Sequence, residues 1–120
     1  AQIAKRQGEA GAVVSGGIRD IAHSRRVQFP LWASEVTPLT GKWRLETVAI
    51  NAEIEVFGVR VAPGDIVIAD DTGVCFIPRA RAAEVLELAA KKSAAEEERC
   101  RSIDTGVAIA DLPKRNRESA

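Results

Sequence analysis

Hydrophobic positions follow helical spacing in three stretches of the chain and a two-residue alternation through its middle, which predicts a mixed α/β fold. Ala1 to Arg6 reads as a short amphipathic helix ending near Gly8 or Gly11. Ala12-Val13-Val14 is a short apolar run expected to form a buried strand, closed by a Ser15-Gly16-Gly17 turn. A second helix is expected from Arg19-Asp20 through Arg25, stopped by Phe29-Pro30, with a strand resuming at Leu31-Trp32-Ala33. Thr37 to Gly41 reads as a loop.

From Leu45 the pattern becomes β. Leu45, Thr47 and Ala49 alternate with Glu46, Val48 and Ile50. Ile54-Glu55-Val56 and Val59-Arg60-Val61 flank Gly58 as a hairpin. Ala62-Pro63-Gly64-Asp65 has Pro and Gly at the two central positions of a type II turn. Ile66 to Ala69 and Val74 to Ile77 read as strands buried on both faces, joined by Asp70-Asp71-Thr72-Gly73, with Cys75 in the core. After Pro78 the period turns helical. Ala82, Val85, Leu86, Ala89 and Ser93 form a stripe, Glu87 and Lys91 an i, i+4 pair, and the helix is expected to continue through Glu96 to Arg99. A short turn is expected between Ile103 and Leu112. Residues 113–120 are polar enough to predict a disordered tail.

Composition narrows the function classes. The 120 residues carry 17 basic and 17 acidic side chains, a balance that argues against a nucleic-acid partner. No apolar run reaches the ~18–20 residues of a membrane span, so a cytoplasmic protein is expected. Only 4% of residues are aromatic, so the core must be aliphatic. The two cysteines, Cys75 and Cys100, form no CxxC pair and suggest neither a disulfide framework nor a zinc site. The length fits one domain, expected over residues 1–112. There is no Met, and Ala1 to Arg6 has no helix start signal ahead of it, from which the chain is expected to begin inside a larger fold.

Candidate chemistry is sparse. Ser15-Gly16-Gly17-Ile18-Arg19-Asp20 places two glycines, a planar guanidinium and a hard carboxylate in succession. Such a segment could let a ligand approach the backbone while Arg19 binds a carboxylate and Asp20 a divalent cation. The plain alternative is a surface Arg beside an Asp in the first helical turn. Asp70-Asp71 could hold a metal but is also good hairpin chemistry, and the Glu96-Glu97-Glu98 run reads equally as a solvated helix face. His23, between charged neighbours, reads as a surface residue. Val14-Ser15-Gly16 is no nucleophile elbow, because no Gly stands two positions before Ser15.

In order along the chain, Gly11-Ala-Val-Val-Ser-Gly-Gly-Ile-Arg-Asp20, Phe29-Pro30, Val36-Thr37-Pro38, Val59-x-Val-x-Pro-Gly-Asp-Ile-Val67, Ala69-Asp-Asp-x-Gly-Val74 and Ile77-Pro78 resemble the RraA-like family. That family includes the 4-hydroxy-4-methyl-2-oxoglutarate aldolases and regulators of ribonuclease E activity. The likeness covers roughly residues 1 to 106. It implies a swivelling β/β/α domain whose N-terminal part is absent from this chain, assembled as a homo-oligomer, usually a trimer. It implies a lyase dependent on Mg²⁺ or Mn²⁺ that cleaves a 4-hydroxy-2-oxo acid to pyruvate and decarboxylates oxaloacetate. By position, Arg19 matches the family's substrate-binding Arg, with Gly17 beside it, and Asp20 matches its metal ligand. Glu96, or Glu97 beside it, falls near a C-terminal helix Glu that reaches a neighbouring subunit's site. No Lys stands in the motif, so nothing suggests a Schiff-base aldolase.

The family also has a Gly-Asp/Glu-Leu-Leu loop just upstream of the segment matching Ala1 to Ala4, expected either on a separate N-terminal chain or among residues missing from this sequence. Ser15, where the family commonly has Asp, and the charged Arg25-Arg26 read as tolerated surface changes. Two other functions remain from different classes: a ribonuclease E regulator acting through its surface without a metal, and a scaffold subunit without catalysis.

Overall fold

The computed structural model describes residues 1–112, so the expected tail at 113–120 lies outside the described residues. Contacts group the chain into two compact units, Ala1–Arg79 and the residues from Ala80 onward.

The first unit is built on a βαβ element. Strand β1 (Ala12–Ile18) and strand β2 (Leu31–Val36) run parallel, connected by the short helix α2 (Ile21–Arg26). Helix α1 (Gln2–Arg6) precedes them, and its Lys5 Nζ donates to the Val27 carbonyl at 2.5 Å, tying it to the end of α2. Helix α2 stops where Gln28 takes a positive φ of 54° and Phe29 turns inward, only 4% exposed.

The Ser15-Gly16-Gly17 segment is not the expected turn, because β1 runs through it to Ile18. Register explains the difference. Val14 lies opposite Ala33 and Gly17 opposite Glu35, three steps along β1 against two along β2. One extra residue is therefore absorbed as a bulge, a feature that glycine in a strand commonly marks.

Two antiparallel hairpins complete the unit. Strands β3 (Ile54–Val56) and β4 (Val59–Val61) are joined by Phe57-Gly58, both at positive φ (52° and 78°), as a two-residue hairpin turn of the primed type requires. The turn is tied to β1 by the Phe57 N–H, which donates to Ser15 Oγ at 3.4 Å. Ala62-Pro63-Gly64-Asp65 forms the expected turn, with Asp65 N–H donating to the Ala62 carbonyl and Gly64 at φ 92°. Asp65 then bridges outward: one carboxylate oxygen accepts from Ala62 N–H at 2.9 Å and the other from Arg79 N–H at 3.1 Å. Strands β5 (Ile66–Asp70) and β6 (Gly73–Ile77) follow, and Trp32 Nε1 donates to the Asp70 carbonyl at 2.8 Å, anchoring this hairpin to β2.

Between these sheets Val13, Trp32, Val56, Val61, Val67 and Phe76 line an apolar cavity of about 480 Å³. Val56 is 3% exposed and, with Phe29, forms the buried apolar core of this unit.

Three expectations fail on solvent exposure or pairing. The 45–50 alternation forms no strand: the segment is irregular, and Val48 is 90% exposed. A β-pattern needs a neighbour to take its backbone hydrogen bonds, and no described strand lies beside it. Strands β5 and β6 are not buried on two faces, since a two-stranded sheet has too little around it to cover both. Cys75 accordingly faces solvent rather than the core, and like Cys100 it is unpaired.

A single turn of tight helix at Arg79–Arg81 precedes helix α3 (Ala82–Asp104) of the second unit, which is followed by a further short turn at Ile109–Asp111 where one was expected. The helix is laced by surface pairs: Arg81 with Glu84, Glu87 with Lys91 at 2.6 Å, and Glu98 with Arg101 at 2.7 Å. Of the expected apolar stripe only Ala82 and Val85 are half-buried, and the rest is exposed. Among the described residues no helix is long and apolar enough to cross a membrane.

Candidate active site

The carboxyl end of β1 is where the chemistry-bearing residues gather. Gly17 and Ile18 end the strand, and Arg19 and Asp20 follow before α2 begins at Ile21. The second helix therefore starts one residue later than expected, with Asp20 at its cap position in the left-handed conformation (φ 58°, ψ 37°). Non-glycine residues adopt this conformation at a cost, and Asp tolerates it better than most. The Asp20 carbonyl accepts the first helical hydrogen bonds, from His23 N–H at 3.0 Å and Ser24 N–H at 3.1 Å. Its side chain caps nothing and points elsewhere: Oδ2 lies 3.4 Å from Arg19 Nε.

That ion pair is half open to solvent (Arg19 51% exposed, Asp20 67%). Exposed pairs of this kind contribute ~0–1 kcal/mol to stability. Fold stability therefore gives little account of this exposed carboxylate beside a guanidinium at a strand end. Helix α2 has only six residues, so its dipole adds little.

Gly17 is held from behind. A Cβ placed there would meet Thr37 Cγ2 at 2.7 Å and Glu35 Cγ at 3.3 Å. Thr37 is also bonded to this strand end, its N–H donating to the Ile18 carbonyl at 2.9 Å, while its Oγ1 accepts from Leu39 N–H at 3.2 Å. Thr37 thus supports the turn that carries Arg19 and Asp20. Local spacing places Thr37 in a loop, because only the strand register reveals that it lies against Gly17.

His23 Nδ1 is 2.9 Å from Arg26 Nη2; a guanidinium can only donate, so Nδ1 accepts, and the ring is engaged on the helix surface as expected. Glu96 and Glu97 lie on α3 in the second unit. Among the described residues no three acidic, His or Cys side chains gather into a ready-made metal cage.

Asp70 is hairpin chemistry. Its Oδ1 accepts from the Thr72 hydroxyl at 2.5 Å, from Thr72 N–H at 2.7 Å and from Gly73 N–H at 3.2 Å. These bonds, the Thr72 hydroxyl's foremost, hold the Asp70 carboxyl below the usual carboxylate range. A lowered folded-state pKa means the stabilisation is present above the ordinary Asp pKa and lost as pH falls through the depressed value. Thr72 amide protection should therefore persist below the pH at which an ordinary Asp protonates and then collapse. In Asp70→Asn that acid step should vanish from an NMR titration; an unchanged step would assign it to another group.

The sequence model of the Aldolase/RraA family matches residues 1–76, the whole stretch that builds this strand end. The chain belongs to the RraA-like family. It is 39% identical over 105 residues to a putative 4-hydroxy-4-methyl-2-oxoglutarate aldolase of Halalkalibacterium halodurans, a match covering 88% of this chain and 50% of the relative. It is 33% identical over 78 residues to the 4-hydroxy-4-methyl-2-oxoglutarate aldolase of Thermus thermophilus, covering 65% of this chain and 47% of the relative. The chain thus spans about half the length of these curated relatives. An uncharacterized protein of Pseudomonas syringae pv. tomato has a similar solved structure, with a TM-score of 0.85, 26% identity, and coverage of 91% of this chain and 55% of that one. The RraA-like architecture of mixed helix and strand is therefore shared.

Proposed function

We propose that this RraA-like chain serves a divalent-metal-dependent lyase. In this reading it cleaves a 4-hydroxy-2-oxo acid such as 4-hydroxy-4-methyl-2-oxoglutarate to pyruvate and a second 2-oxo acid, and decarboxylates oxaloacetate. The observation that carries this is the Arg19–Asp20 pair at the end of β1, exposed and of little weight for stability. The relatives' aldolase names support it.

Asp20 suits Mg²⁺ or Mn²⁺. Its carboxylate is two-thirds exposed, makes no cap bond and pairs among the described residues with Arg19, and Mg²⁺ commonly takes one or two protein carboxylates while keeping several waters. The missing three-ligand cage is no obstacle to such a site. When bound, the ion supplies Lewis-acid polarisation of the substrate's 2-oxo group.

Both reactions break the bond between C3 and C4 and leave its electron pair on the pyruvate unit, with charge on the C2 oxygen. Arg19 presents a planar fork of donors to that oxygen and to the neighbouring carboxylate, stabilising charge where it develops. In the aldol cleavage the C4 hydroxyl gives up its proton to solvent as its oxygen becomes the carbonyl of the second 2-oxo acid, whereas decarboxylation releases CO₂; protonation at C3 then yields pyruvate in both. Gly17 keeps the strand end close against Thr37, so that Arg19 and Asp20 hold their positions. By the family resemblance, Glu96 of helix α3 would reach a neighbouring subunit's site. The swivelling arrangement, trimeric assembly and dependence on an upstream segment belong to this same proposal.

The test is Mg²⁺-dependent pyruvate release from oxaloacetate and from 4-hydroxy-4-methyl-2-oxoglutarate, with an EDTA control. Oxaloacetate decays with metal alone, so only release in excess of the Asp20→Ala protein counts. Excess release from both substrates is expected; none from either would overturn the lyase reading.

A further inference from the structure

The charges of the chain balance overall, 17 basic against 17 acidic, but they are not evenly spread. Residues 1–26 hold Lys5, Arg6, Arg19, Arg25 and Arg26 against Glu9 and Asp20. Arg19 and Asp20 pair with each other, which leaves four cations and a single carboxylate. The fold then draws the four together. Lys5 and Arg6 stand in the last turn of α1, and Arg25 and Arg26 in the last turn of α2. The bond from Lys5 Nζ to the Val27 carbonyl joins these two helix ends, which lie 22 residues apart in sequence.

All four side chains are exposed, and none has a carboxylate partner among the described residues, whereas Arg60, Arg81 and Arg101 do. Arg26 donates one N–H to His23 Nδ1, which steadies the guanidinium and leaves its remaining donors to a partner. Helix dipoles account for little of this gathering. Cations are favoured at helix C-termini, but α1 and α2 have only five and six residues, and Lys5 already meets a carbonyl at the end of α2. Like charges brought together without counter-charges repel one another, so the cluster is not there for stability.

The chemistry of the surface narrows what it would hold. Guanidinium forks match carboxylates two oxygens at a time. Neither helix carries Phe, Tyr or Trp, so the surface lacks the stacking platform on which single-stranded nucleic acids rely. We propose that the joined ends of α1 and α2 form a docking surface for an acidic protein segment, a stretch rich in Asp and Glu. Arg6, Arg25 and Arg26 bind its carboxylates, and Lys5 fixes the two helix ends together. The surface uses neither Arg19 nor Asp20 and does not depend on the lyase reading. It gives Arg25 and Arg26 more than the part of tolerated surface changes.

The test is fluorescence anisotropy of a labelled oligoglutamate peptide titrated with the intact protein, beside a labelled oligouridylate of the same length. The wild type is expected to bind oligoglutamate more tightly than oligouridylate, with an affinity that falls as salt is added. Arg6→Gln and Arg26→Gln should each weaken peptide binding ~3-fold, and the double variant ~10-fold. Arg44→Gln/Arg79→Gln removes the same charge away from both helices, at two side chains without ion pairs, and should leave binding unchanged. Circular dichroism of the Arg6→Gln/Arg26→Gln protein should match the wild type, and so should its pyruvate release. No binding of oligoglutamate at low salt would overturn the surface, as would an equal loss in Arg44→Gln/Arg79→Gln. Loss confined to one helix end would overturn the joint surface, and oligouridylate bound as tightly as oligoglutamate would overturn the acidic segment as its partner.

Discussion

Replacing Asp20 with asparagine is expected to lower Mg²⁺-dependent pyruvate release by ~10²-fold or more while leaving the fold intact, because losing a preorganised charge-stabilising group commonly costs that much. The separation is possible because two parts of Asp20 do different things. Its backbone carbonyl holds the first turn of α2 through His23 and Ser24, and any residue keeps that carbonyl. Its side chain makes no helix-capping bond. Asparagine also tolerates the left-handed conformation at φ 58°, whereas alanine adds a backbone cost to the loss of charge.

Circular dichroism and thermal unfolding of Asp20→Asn should match the wild type, and Mg²⁺ should no longer bind the protein measurably by calorimetry. Undiminished pyruvate release would remove Asp20 from the site. The same variant separates the competing classes. A protein acting on ribonuclease E through its surface would keep that binding in Asp20→Asn, whereas a lyase loses its activity. Arg19→Lys is the companion change: it keeps the charge but not the fork, and is expected to lose activity for want of bidentate geometry.

How much of this was readable from sequence depends on what each signal reports. Turn chemistry reports local backbone geometry, and it was reliable. Phe57-Gly58, Pro63-Gly64 and Asp70 to Gly73 all turn where their residues demand it. The Glu87–Lys91 pair and the long helix from Ala82 follow equally from local spacing.

Hydrophobic period reports what a segment is suited to bury, not what covers it. Ile66, Val67 and Ile68 therefore read as doubly buried and yet are 40%, 46% and 57% exposed. Leu45 to Ile50 has the alternation of a strand and no described neighbour to pair with. At the candidate site, Arg19 and Asp20 were legible as candidates because their residue types are those the proposed chemistry would need, in an order that matches a family. The contact of Thr37 with Gly17 was not, because it arises only through the bulged register of β1 against β2 and leaves no trace in local spacing.

Gly17→Ala should be the most damaging single methyl in the first unit. Gly17 is not among the positive-φ residues, so its backbone suits alanine; what glycine provides there is space. The added Cβ would lie 2.7 Å from Thr37 Cγ2, with Glu35 Cγ and Thr37 Cβ both at 3.3 Å, so something must shift. Overpacking of this kind costs ~1–3 kcal/mol.

The shift falls on the strand end bearing Arg19 and Asp20, because Thr37 is hydrogen-bonded to Ile18. A displacement near 1 Å at a reacting centre can cost ~10²-fold in rate. Gly16→Ala provides the control, since nothing lies within 4 Å of a Cβ at that position. It should be close to neutral in both stability and rate. Thr37→Ser removes the clashing methyl but keeps the hydroxyl that accepts from Leu39. The Gly17→Ala/Thr37→Ser double variant should therefore be more stable and more active than Gly17→Ala alone, a coupling that a double-mutant cycle reads directly. Additive effects in that cycle would show that Gly17 acts on the site by some route other than its contact with Thr37.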